Sequence, residues 1–506
     1  MGVIIIRASG ILMHLSSLPA PYGIGTMGQC AKDFVDFLKK AGQTYWQILP
    51  VCPTSYGDSP YQSFSTFAGN PYFIDLDMLE GEGLLELSEY KDIDWECVPY
   101  KVNYGALYEK RYPLLKIAFK RFVDRFDSDK DSYEAYKTFC EENGFWLDDY
   151  ALFMTAKGLN DGVAWIEWPE DLKKREAASL EKVVAENKEE IEFWKFLQYF
   201  FFKQWKELRA YANENGVSII GDLPIYVALD SADVWANPQM FQLDENLEPT
   251  FVAGCPPDGF SATGQLWGNP LFRWDKMEEE NFAWWIKRIG YACKIYNVLR
   301  LDHFRGFESY YAIPYGDADA SGGHWEQGPG IKLFEALEKS EGKLNIIAED
   351  LGFLTEPVKE LLAKSGFPGM KVFELGFDSR DDNSIEYVPH SMKKHCVAYV
   401  GTHDNDTIQG WFTSAAPEDV RYAQEYLSMP TLSQGHWHMM KALWATVADL
   451  TIVQAQDLFG LGSDSRMNIP STLGTNWCWR AIEGSFDDSL AMRLKHFMEL
   501  YKRDNQ

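Results

Sequence analysis

The chain has 506 residues, and its 75 acidic side chains against 48 basic ones give a formal charge of −27 at pH 7. This charge argues against nucleic acid as a partner, because binding to phosphates depends on clustered Lys and Arg, so a neutral or cationic ligand fits better. The eight cysteines are scattered without a C-x-x-C pair, which argues against a zinc ribbon and a disulfide scaffold.

At the start of the chain, residues 1–7 contain a short apolar run but no basic leader, and no cleavage signal follows it. Further on, no stretch reaches the roughly 20 apolar residues that a membrane-spanning helix requires. We therefore expect a cytoplasmic protein without a membrane partner.

Eight apolar, strand-like runs follow, mostly separated by amphipathic helical patterns. Buried parallel strands have this apolar character, and eight of them with intervening helices predict a (β/α)8 TIM barrel of the α/β class. In chain order the predicted strands are Ile11–Leu15, Tyr45–Val51, Val217–Val227, Val298–Phe304, Asn345–Leu351, Met370–Leu375, Cys396–Thr402 and Leu450–Gln456.

Two connections are longer than a normal βα unit, and we expect both to carry insertions. Residues 76–215 are charged and show helical periodicity, which predicts a mainly helical inserted subdomain. The catalytic barrel would then comprise residues 1–75 and 216–506. Within the second part, residues 228–273 are rich in Gly, Pro and aromatic side chains, which predicts a lid-like loop over the barrel mouth.

Three of the predicted strands lead to a carboxylate. Asp302 lies near the end of the fourth run, Glu349 near the end of the fifth, and Asp404 just after the seventh. Because active sites of such barrels form at the carboxyl ends of the strands, we expect these acids to meet in one pocket. Such a pocket suits chemistry in which one carboxylate attacks, one transfers a proton and one holds the substrate.

The neighbours of each acid indicate how these roles are divided. In an extended strand Arg300 points the same way as Asp302, so its charge should keep Asp302 ionised for attack at an anomeric carbon. Glu349 follows an apolar run with no basic neighbour, which should raise its pKa and preserve a proton for acid and base catalysis. Asp404 lies beside His403, a setting suited to gripping sugar hydroxyls.

Each of these motifs also has a purely structural interpretation. An Arg-x-Asp pair on a strand is commonly an internal ion pair, and a Glu-Asp pair often caps the next helix. The occurrence of three acids in order on three strand ends favours the catalytic interpretation, because chance would rarely place all of them at the reactive rim.

Longer motifs surround the acids along nearly the whole chain. They are Ser9-Gly10-Ile11, Ser16-Ser17-Leu18-Pro19, Asp58-Ser59-Pro60-Tyr61-Gln62-Ser63, Gly69-Asn70-Pro71, Gly221-Asp222-Leu223-Pro224-Ile225-Tyr226-Val227, Pro256-Pro257-Asp258, Gly264-Gln265-Leu266-Trp267-Gly268-Asn269-Pro270, Arg466-Met467-Asn468 and Asn476-Trp477. With these motifs the chain resembles the amylomaltase family, the 4-α-glucanotransferases or disproportionating enzymes, which belong with the α-amylase-like retaining barrels.

The resemblance implies that Asp302 is the nucleophile, Glu349 the acid and base, and Asp404 the residue that stabilises the transition state. It also assigns other residues to sugar binding, although a buried strand pair, core histidines or loop packing would explain them structurally. Those around the cleavage point are Asp222, Arg300, His303 and His403, and those at adjacent glucose subsites are Tyr61, Asp258, Gln265 and Trp267.

The activity that the resemblance implies is retaining transfer of α-1,4-glucan segments between maltooligosaccharides or amylose chains through a covalent glucosyl-Asp intermediate. No cofactor and no metal are expected, and the protein should be a monomer or a simple homo-oligomer. An α-amylase-type glucan hydrolase is the main alternative, but it should often show a calcium site and a C-terminal β-sandwich, and neither is visible in the sequence. A catalytically silent glycogen-binding homologue is a further alternative, which the intact acids disfavour.

Overall fold

The computed structural model describes residues 7–55, 57–257, 261–352, 354–379 and 384–504. Twelve strands lie within these ranges, and they form a closed barrel and a separate four-stranded sheet. In chain order they are β1 (Ala8–Leu12), β2 (Tyr45–Gln47), β3 (Ser218–Leu223), β4 (Phe251–Cys255), β5 (Gln265–Pro270), β6 (Val298–Leu301), β7 (Ser309–Pro314), β8 (His324–Gln327), β9 (Ile346–Ala348), β10 (Gly369–Val372), β11 (Cys396–Tyr399) and β12 (Leu450–Gln454).

Eight of these strands close into a parallel barrel, in the order β1-β2-β3-β6-β9-β10-β11-β12. The strands follow one another around the ring in chain order, and β12 pairs with β1 to complete it. Each of the eight predicted runs overlaps one of them, so the predicted (β/α)8 fold is confirmed. Nearly all of their residues are buried, because the ring packs side chains inside and helices outside.

The first barrel strand begins at Ala8 rather than at the predicted Ile11. Ala8, Ser9 and Gly10 are small residues that carry little apolar signal, and this is why the sequence pattern missed them. Their size matters for packing, because a Cβ atom at Gly10 would lie 2.6 Å from the carbonyl oxygen of Tyr45 in the neighbouring strand. The close approach of β1 and β2 thus requires glycine at this position.

Helices cover the outside of the barrel between the strands, and each buries an apolar face against it. In the first of them, Phe34, Val35 and Leu38 are buried while the charged residues face outward. The longer helices outside the segment between β2 and β3 are Gln29–Lys40, Ala283–Ile295, Ile331–Glu341, Glu356–Ser365, Ile408–Ser414, Pro417–Tyr426, Gly435–Ala445 and Asp488–Tyr501. Shorter ones are Ala232–Ala236, Trp274–Glu279, Phe373–Gly376 and Ala455–Leu458.

The end of the described chain is fastened to its beginning by Arg503, which is completely buried. Its guanidinium donates to the carbonyl oxygen of Ala8 at 2.9 Å, and also to those of Trp444 at 2.8 Å and Thr446 at 3.0 Å. A buried charge is tolerated here because several acceptors surround it. Arg503 therefore ties β1 to the segment that precedes β12.

Helices fill the long connection between β2 and β3. They are Leu76–Gly81, Leu87–Tyr90, Tyr104–Asp124, Lys130–Leu159, Glu170–Lys173, Ala177–Glu186 and Lys188–Glu214. Aromatic side chains join the longest of them, as Phe122 contacts the rings of Phe196, Tyr199 and Phe200. None of the helices in the described ranges is long and apolar enough to cross a membrane. The division into a barrel and a separate helical subdomain over 76–215 stays a prediction.

The segment expected to form a loop over the barrel mouth, residues 228–273, contains regular structure. It carries the helix Ala232–Ala236 and the strands β4 and β5. These strands join β7 and β8, which follow barrel strand β6, in an antiparallel sheet of order β5-β4-β7-β8. The sequence did not predict this sheet, because β5 is partly exposed, β8 is largely exposed, and both lack a continuous apolar run. Its two halves are also separated in the chain by two α-helices and barrel strand β6.

Candidate active site

A cavity of about 990 Å³ lies at the end of the barrel where three strands deliver acids. Asp302 directly follows β6, Glu349 directly follows β9, and Asp404 lies in the turn after β11. All three side chains line this one cavity. The structure thus brings together three carboxyl groups that are far apart in the sequence, as strands of a closed parallel barrel allow.

Most of the residues assigned to sugar binding lie around the same cavity. Asp222 does not line it but is buried beneath its wall. Asp258 lies outside the described residues. The six that line the cavity are Tyr61, Gln265, Trp267, Arg300, His303 and His403.

Arg300 connects two carboxylates at the base of the cavity. Its Nη1 atom donates to both oxygens of Asp222, at 2.8 and 2.7 Å, and its Nη2 atom lies 2.9 Å from Oδ1 of Asp302. Burial disfavours a charge on Arg300, but the two carboxylates raise its pKa well above the ordinary value. Arg300 therefore stays positive and divides its charge between Asp222 and Asp302.

Glu349 is held by two backbone N–H groups. Its Oε2 atom accepts from the amide of His303 and its Oε1 atom from the amide of Leu351, each at 2.8 Å. His303 has a left-handed backbone conformation with φ of 49°. Such a conformation is uncommon for a residue with a side chain, and here it turns the chain directly after Asp302 so that the amide faces Glu349.

Asp302 and Glu349 share one electrostatic environment. Burial raises the pKa of both carboxyl groups, that of Asp302 to about 8, and Arg300 opposes the rise in each. The sequence predicted an ionised Asp302 because of Arg300 alone. The ion pair is present, but Arg300 also binds Asp222, and its charge does not offset the effect of burial on the pKa of Asp302. The two carboxyls therefore retain a proton between them at neutral pH and titrate as a pair.

Asp404 is oriented by two side chains. Its Oδ1 atom accepts from Nδ2 of Asn468 at 2.6 Å, and its Oδ2 atom lies 3.3 Å from Nε2 of His403. Burial lowers the pKa of His403, so this ring is neutral at ordinary pH. The neighbouring Asn405 also lines the cavity, and its Oδ1 atom accepts from the amide and the hydroxyl of Thr402, each at 2.9 Å, which supports the turn.

Trp267 and His303 form an aromatic contact in the cavity lining. Their rings are perpendicular, with centroids 5.0 Å apart. The indole N–H of Trp267 donates to Oε1 of Gln265 at 3.1 Å, which fixes the ring on β5. Burial lowers the pKa of His303 to about 3, so this ring is also neutral. The wall offers an aromatic face beside neutral hydrogen-bonding groups, an arrangement suited to a sugar.

Comparison with known proteins decides the family. The model of a family described as 4-alpha-glucanotransferase, glycoside hydrolase family 77, matches residues 13–483. The chain belongs to this family. The 4-alpha-glucanotransferase of Clostridium butyricum is 47% identical over 493 residues, which cover 97% of this chain and 100% of that protein. That of Thermus thermophilus is 44% identical over 504 residues, covering 98% and 99% of the two chains.

Solved structures of amylomaltases share the fold. The amylomaltase from Streptococcus agalactiae in complex with acarbose matches with a TM-score of 0.95 and 43% identity, over 98% of this chain and 99% of that one. The amylomaltase from Corynebacterium glutamicum matches with a TM-score of 0.76 and 16% identity, over 98% of this chain and 75% of that one. The second match supports the fold alone.

This 4-alpha-glucanotransferase has further cavity residues to which sequence reasoning gave no role. Arg466, Asn468 and Asn476 lie in motifs that carried the family resemblance, but their spacing did not indicate a function. Glu374 and Asp406 also line the cavity, and both are buried. Glu374 follows β10 by two positions, so the strand-end argument that identified the other acids could have found it.

The described part of this 4-alpha-glucanotransferase contains no group of three or more His, Cys, Asp or Glu side chains arranged to hold a metal ion. The carboxyl groups of the cavity are instead engaged by Arg300, Asn468 and backbone amides. The groups present therefore suit proton transfer and attack by a carboxylate, which are the two reactions that glycosidic bond exchange requires.

Proposed function

We propose that this 4-alpha-glucanotransferase cleaves an α-1,4-glucan and passes the donor segment to the 4-hydroxyl of a second glucan, with retention at the anomeric carbon. The observation that carries the proposal is the pairing of Asp302 and Glu349 in one cavity, with Arg300 bound to the first and backbone amides to the second. A retaining mechanism needs two such carboxyls in different protonation states.

In the first step Asp302 attacks the anomeric carbon while the glycosidic C–O bond breaks. Glu349 gives its proton to the departing oxygen, so that the leaving glucan departs as a neutral alcohol. The direct ion pair of Arg300 with Asp302 assigns the negative charge of the pair to Asp302 and the proton to Glu349. The product of this step is a glycosyl ester of Asp302.

In the second step Glu349, now ionised, takes the proton of an acceptor 4-hydroxyl. The acceptor oxygen attacks the anomeric carbon, the ester bond breaks, and Asp302 returns to its carboxylate form. Two displacements at the same carbon restore the original configuration. The backbone amides of His303 and Leu351 hold Glu349 in place through both proton transfers.

Asp404 and His403 act on the sugar ring during both steps. Asp404 keeps lone pairs directed at the cavity and can accept from vicinal hydroxyls, while its negative charge stabilises the oxocarbenium character of the transition state. Asn468 and His403 fix its orientation from either side. Hydrogen bonds of this kind contribute most when they strengthen as charge develops at the reacting carbon.

Transfer in preference to hydrolysis requires that a sugar hydroxyl, and not water, attacks the glycosyl ester of Asp302. Aromatic and apolar side chains around the cavity, including Trp267, Trp477 and Leu473, offer surface for a glucan acceptor and displace solvent. Membership of the 4-alpha-glucanotransferase family also favours transfer over the α-amylase-type alternative. Maltooligosaccharides and amylose are therefore the proposed donors and acceptors, and no nucleic acid or cofactor takes part.

Incubation of the protein with maltotriose tests this function. Transfer yields glucose together with maltopentaose and longer sugars while the number of reducing ends stays constant, whereas hydrolysis raises that number without longer products. Asp302→Asn and Glu349→Gln should each lower kcat by a factor on the order of 10² to 10⁴. Glu356→Gln is the matched control, because its side chain is 80% exposed on an outer helix. The cytoplasmic location and the monomeric or simple homo-oligomeric state stay predictions.

A further inference from the structure

The segment Arg466–Asn468 grips the turn that carries Asp404. Arg466 Nη2 donates to the backbone carbonyl of Asp404 at 2.8 Å, and Arg466 Nε donates to the carbonyl of Asn468 at 3.2 Å. The amide of Asn468 in turn donates to the carbonyl of His403 at 3.2 Å. We propose that Arg466 is a positioning residue that fixes the Asp404 carboxylate for transfer, held in place by the buried carboxylate of Asp406.

The guanidinium of Arg466 connects two segments that are far apart in the chain. Asp404 follows β11, whereas Arg466 lies beyond β12 and the short helix after it. The planar guanidinium donates to the backbone carbonyls of both Asp404 and Asn468. The side chain of Asn468 adds a hydrogen bond to Oδ1 of Asp404. A fork with several fixed donors can serve these acceptors at once, which a single ammonium group cannot do.

Asp406 supplies the counter-charge for Arg466. Its Oδ2 atom lies 3.8 Å from Nη1 of Arg466 and accepts from the hydroxyls of Ser463 at 2.8 Å and Ser414 at 3.2 Å. Its Oδ1 atom accepts from the amide of Thr407 at 2.8 Å. Only 7% of its surface is exposed, so this carboxylate is held rigidly and keeps Arg466 from swinging into solvent.

Two further buried carboxyls interact with Asp406, and one of them, Glu374, is also affected by the charge of Arg466. Glu374 and Asp457 are both buried, at 7% and 1% exposure. Burial, together with Asp457 and Asp406, raises the pKa of Glu374 well above its usual value, while burial and Asp406 raise that of Asp457 to about 7. The raised pKa values reduce the negative charge carried by Glu374 and Asp457. Among these three carboxyls, Asp406 is the one in ion-pair contact with Arg466.

The consequence for catalysis is geometric. A displacement of about 1 Å in a catalytic group can lower the rate by a factor on the order of 10². If the grip on the Asp404 turn is lost, the carboxylate is no longer held at the reacting carbon, although the sugar can still bind elsewhere in the cavity. The expected signature is therefore a lower kcat with little change in KM.

The experiment is a double-mutant cycle on the full chain, with maltotriose disproportionation as the assay. Arg466→Met should lower kcat about 10- to 100-fold and change KM by less than about threefold. Arg273→Met is the control, because the side chain of Arg273 is 41% exposed and forms its ion pair with Asp275, away from the cavity. Circular dichroism and thermal melting confirm that each variant is folded.

The inference about Arg466 rests on the role of Asp404 in the proposed function, and the single and double variants test the two roles separately. Asp404→Asn alone tests that role, and undiminished transfer by this variant would remove both proposals. If Asp404→Asn is impaired, adding Arg466→Met should lower kcat by less than about threefold more, because Arg466 acts through Asp404. If the loss of kcat in the double variant equals the product of the losses in the two single variants, the inference is overturned and the proposed function stays intact.

A variant of Arg466 that does not fold is replaced by a conservative one. Arg466→Lys keeps the positive charge beside Asp406 but cannot serve both carbonyls. It should therefore melt close to the temperature of the wild type and still lose kcat. Full activity of the lysine variant would show that charge alone suffices, and would overturn the positioning role of the guanidinium fork.

Discussion

The phenol ring of Tyr61 lies parallel to the imidazole ring of His403, with centroids 5.2 Å apart and an angle of 10° between the planes. Its hydroxyl donates to Oδ2 of Asp222 at 2.8 Å. A single side chain therefore joins the ion pair of Asp222 and Arg300 to the pair formed by His403 and Asp404. The residues after β3 and those after β11 are thus fixed relative to each other through this ring.

Removal of the Tyr61 hydroxyl should distinguish its hydrogen bond to Asp222 from its ring stack on His403. Tyr61→Phe keeps the ring stack but leaves one oxygen of Asp222 with Arg300 as its remaining partner. A hydrogen bond to a charged group contributes about 1.5 to 3 kcal/mol, so kcat/KM for maltotriose should fall about 10-fold or more. Tyr61→Ala should lose more, because the stack on His403 is also removed. Tyr108→Phe, at a residue that is 68% exposed, is the control, and equal rates for all three variants would contradict the prediction.

The pH dependence of transfer should show a basic limb where Glu349 loses its proton. The active form needs one proton on the pair of Asp302 and Glu349, and burial raises the pKa of both carboxyl groups, so this limb should lie above the usual range of a carboxyl group. Beyond the limb the proton is lost, and kcat/KM should fall about tenfold for each pH unit. Initial rates measured from about pH 5 to 10 check this, with circular dichroism to exclude unfolding. A rate that stays constant to pH 10 would be inconsistent with a proton-holding pair.

Asp222→Asn should move the acid limb of the pH profile, where Asp302 gains a proton, to lower pH. Burial is the main reason that the pKa of Asp302 is raised, Arg300 lowers it, and Asp222 raises it again. Without the Asp222 charge, Arg300 acts on Asp302 alone and favours its ionised form, which the attack on the anomeric carbon requires. The expected result is that kcat/KM persists to lower pH than in the wild type, measured with the same assay. An acid limb displaced to higher pH would contradict the electrostatic account.

The buried Asp457 should make stability depend on pH. Its pKa is raised by burial to about 7, so in the folded state it stays protonated while the unfolded chain ionises near pH 4. Stability is therefore lost as the pH rises between these values. Asp457→Asn removes this loss, and its melting temperature relative to wild type should be higher at about pH 8 than at about pH 5. The control is Asp488→Asn, whose side chain is 84% exposed. An equal difference at both pH values would refute the prediction.

The helical segment between β2 and β3 should contribute to stability without touching the chemistry. Phe122 is 5% exposed and contacts the rings of Phe196, Tyr199 and Phe200. Phe122→Ala should lower the free energy of unfolding by about 3 to 5 kcal/mol, through lost burial and the cavity that remains. Chemical denaturation measures this, while kcat at 25 °C should stay within about twofold of wild type. Loss of kcat in the folded variant would link this segment to the active site.

The sequence contained enough to predict the barrel and the place of the three acids. Barrel strands are buried on both sides, so their apolar runs are continuous and easily recognised, and the carboxyl rim follows from parallel closure. The strand β1 was placed too late because Ala8 and Ser9 carry little apolar signal. The antiparallel sheet was missed because β5 is partly exposed, β8 is largely exposed, and both lack a continuous apolar run. In addition, its central pair, β4 and β7, joins segments that barrel strand β6 separates in the chain.

The electrostatics of the site were harder to predict than its composition. The spacing of Arg300 and Asp302 correctly placed a cation beside a carboxylate. It could not reveal that Asp222 on β3 shares the same guanidinium, because this contact joins positions far apart in the chain. The sequence contained no indication of a role for Arg466 for the same reason. Its acceptor at Asp404 lies in the turn after β11, far from Arg466 in the chain.

The pairing of β1 with β12, reinforced by Arg503 on the carbonyl of Ala8, has a consequence for biosynthesis. β1 is the first of the eight barrel strands in chain order, yet its second neighbour, β12, is the last of them. The ring can therefore close only when the chain through β12 is available. Until then β1 has an unpaired strand edge, which favours association with other chains.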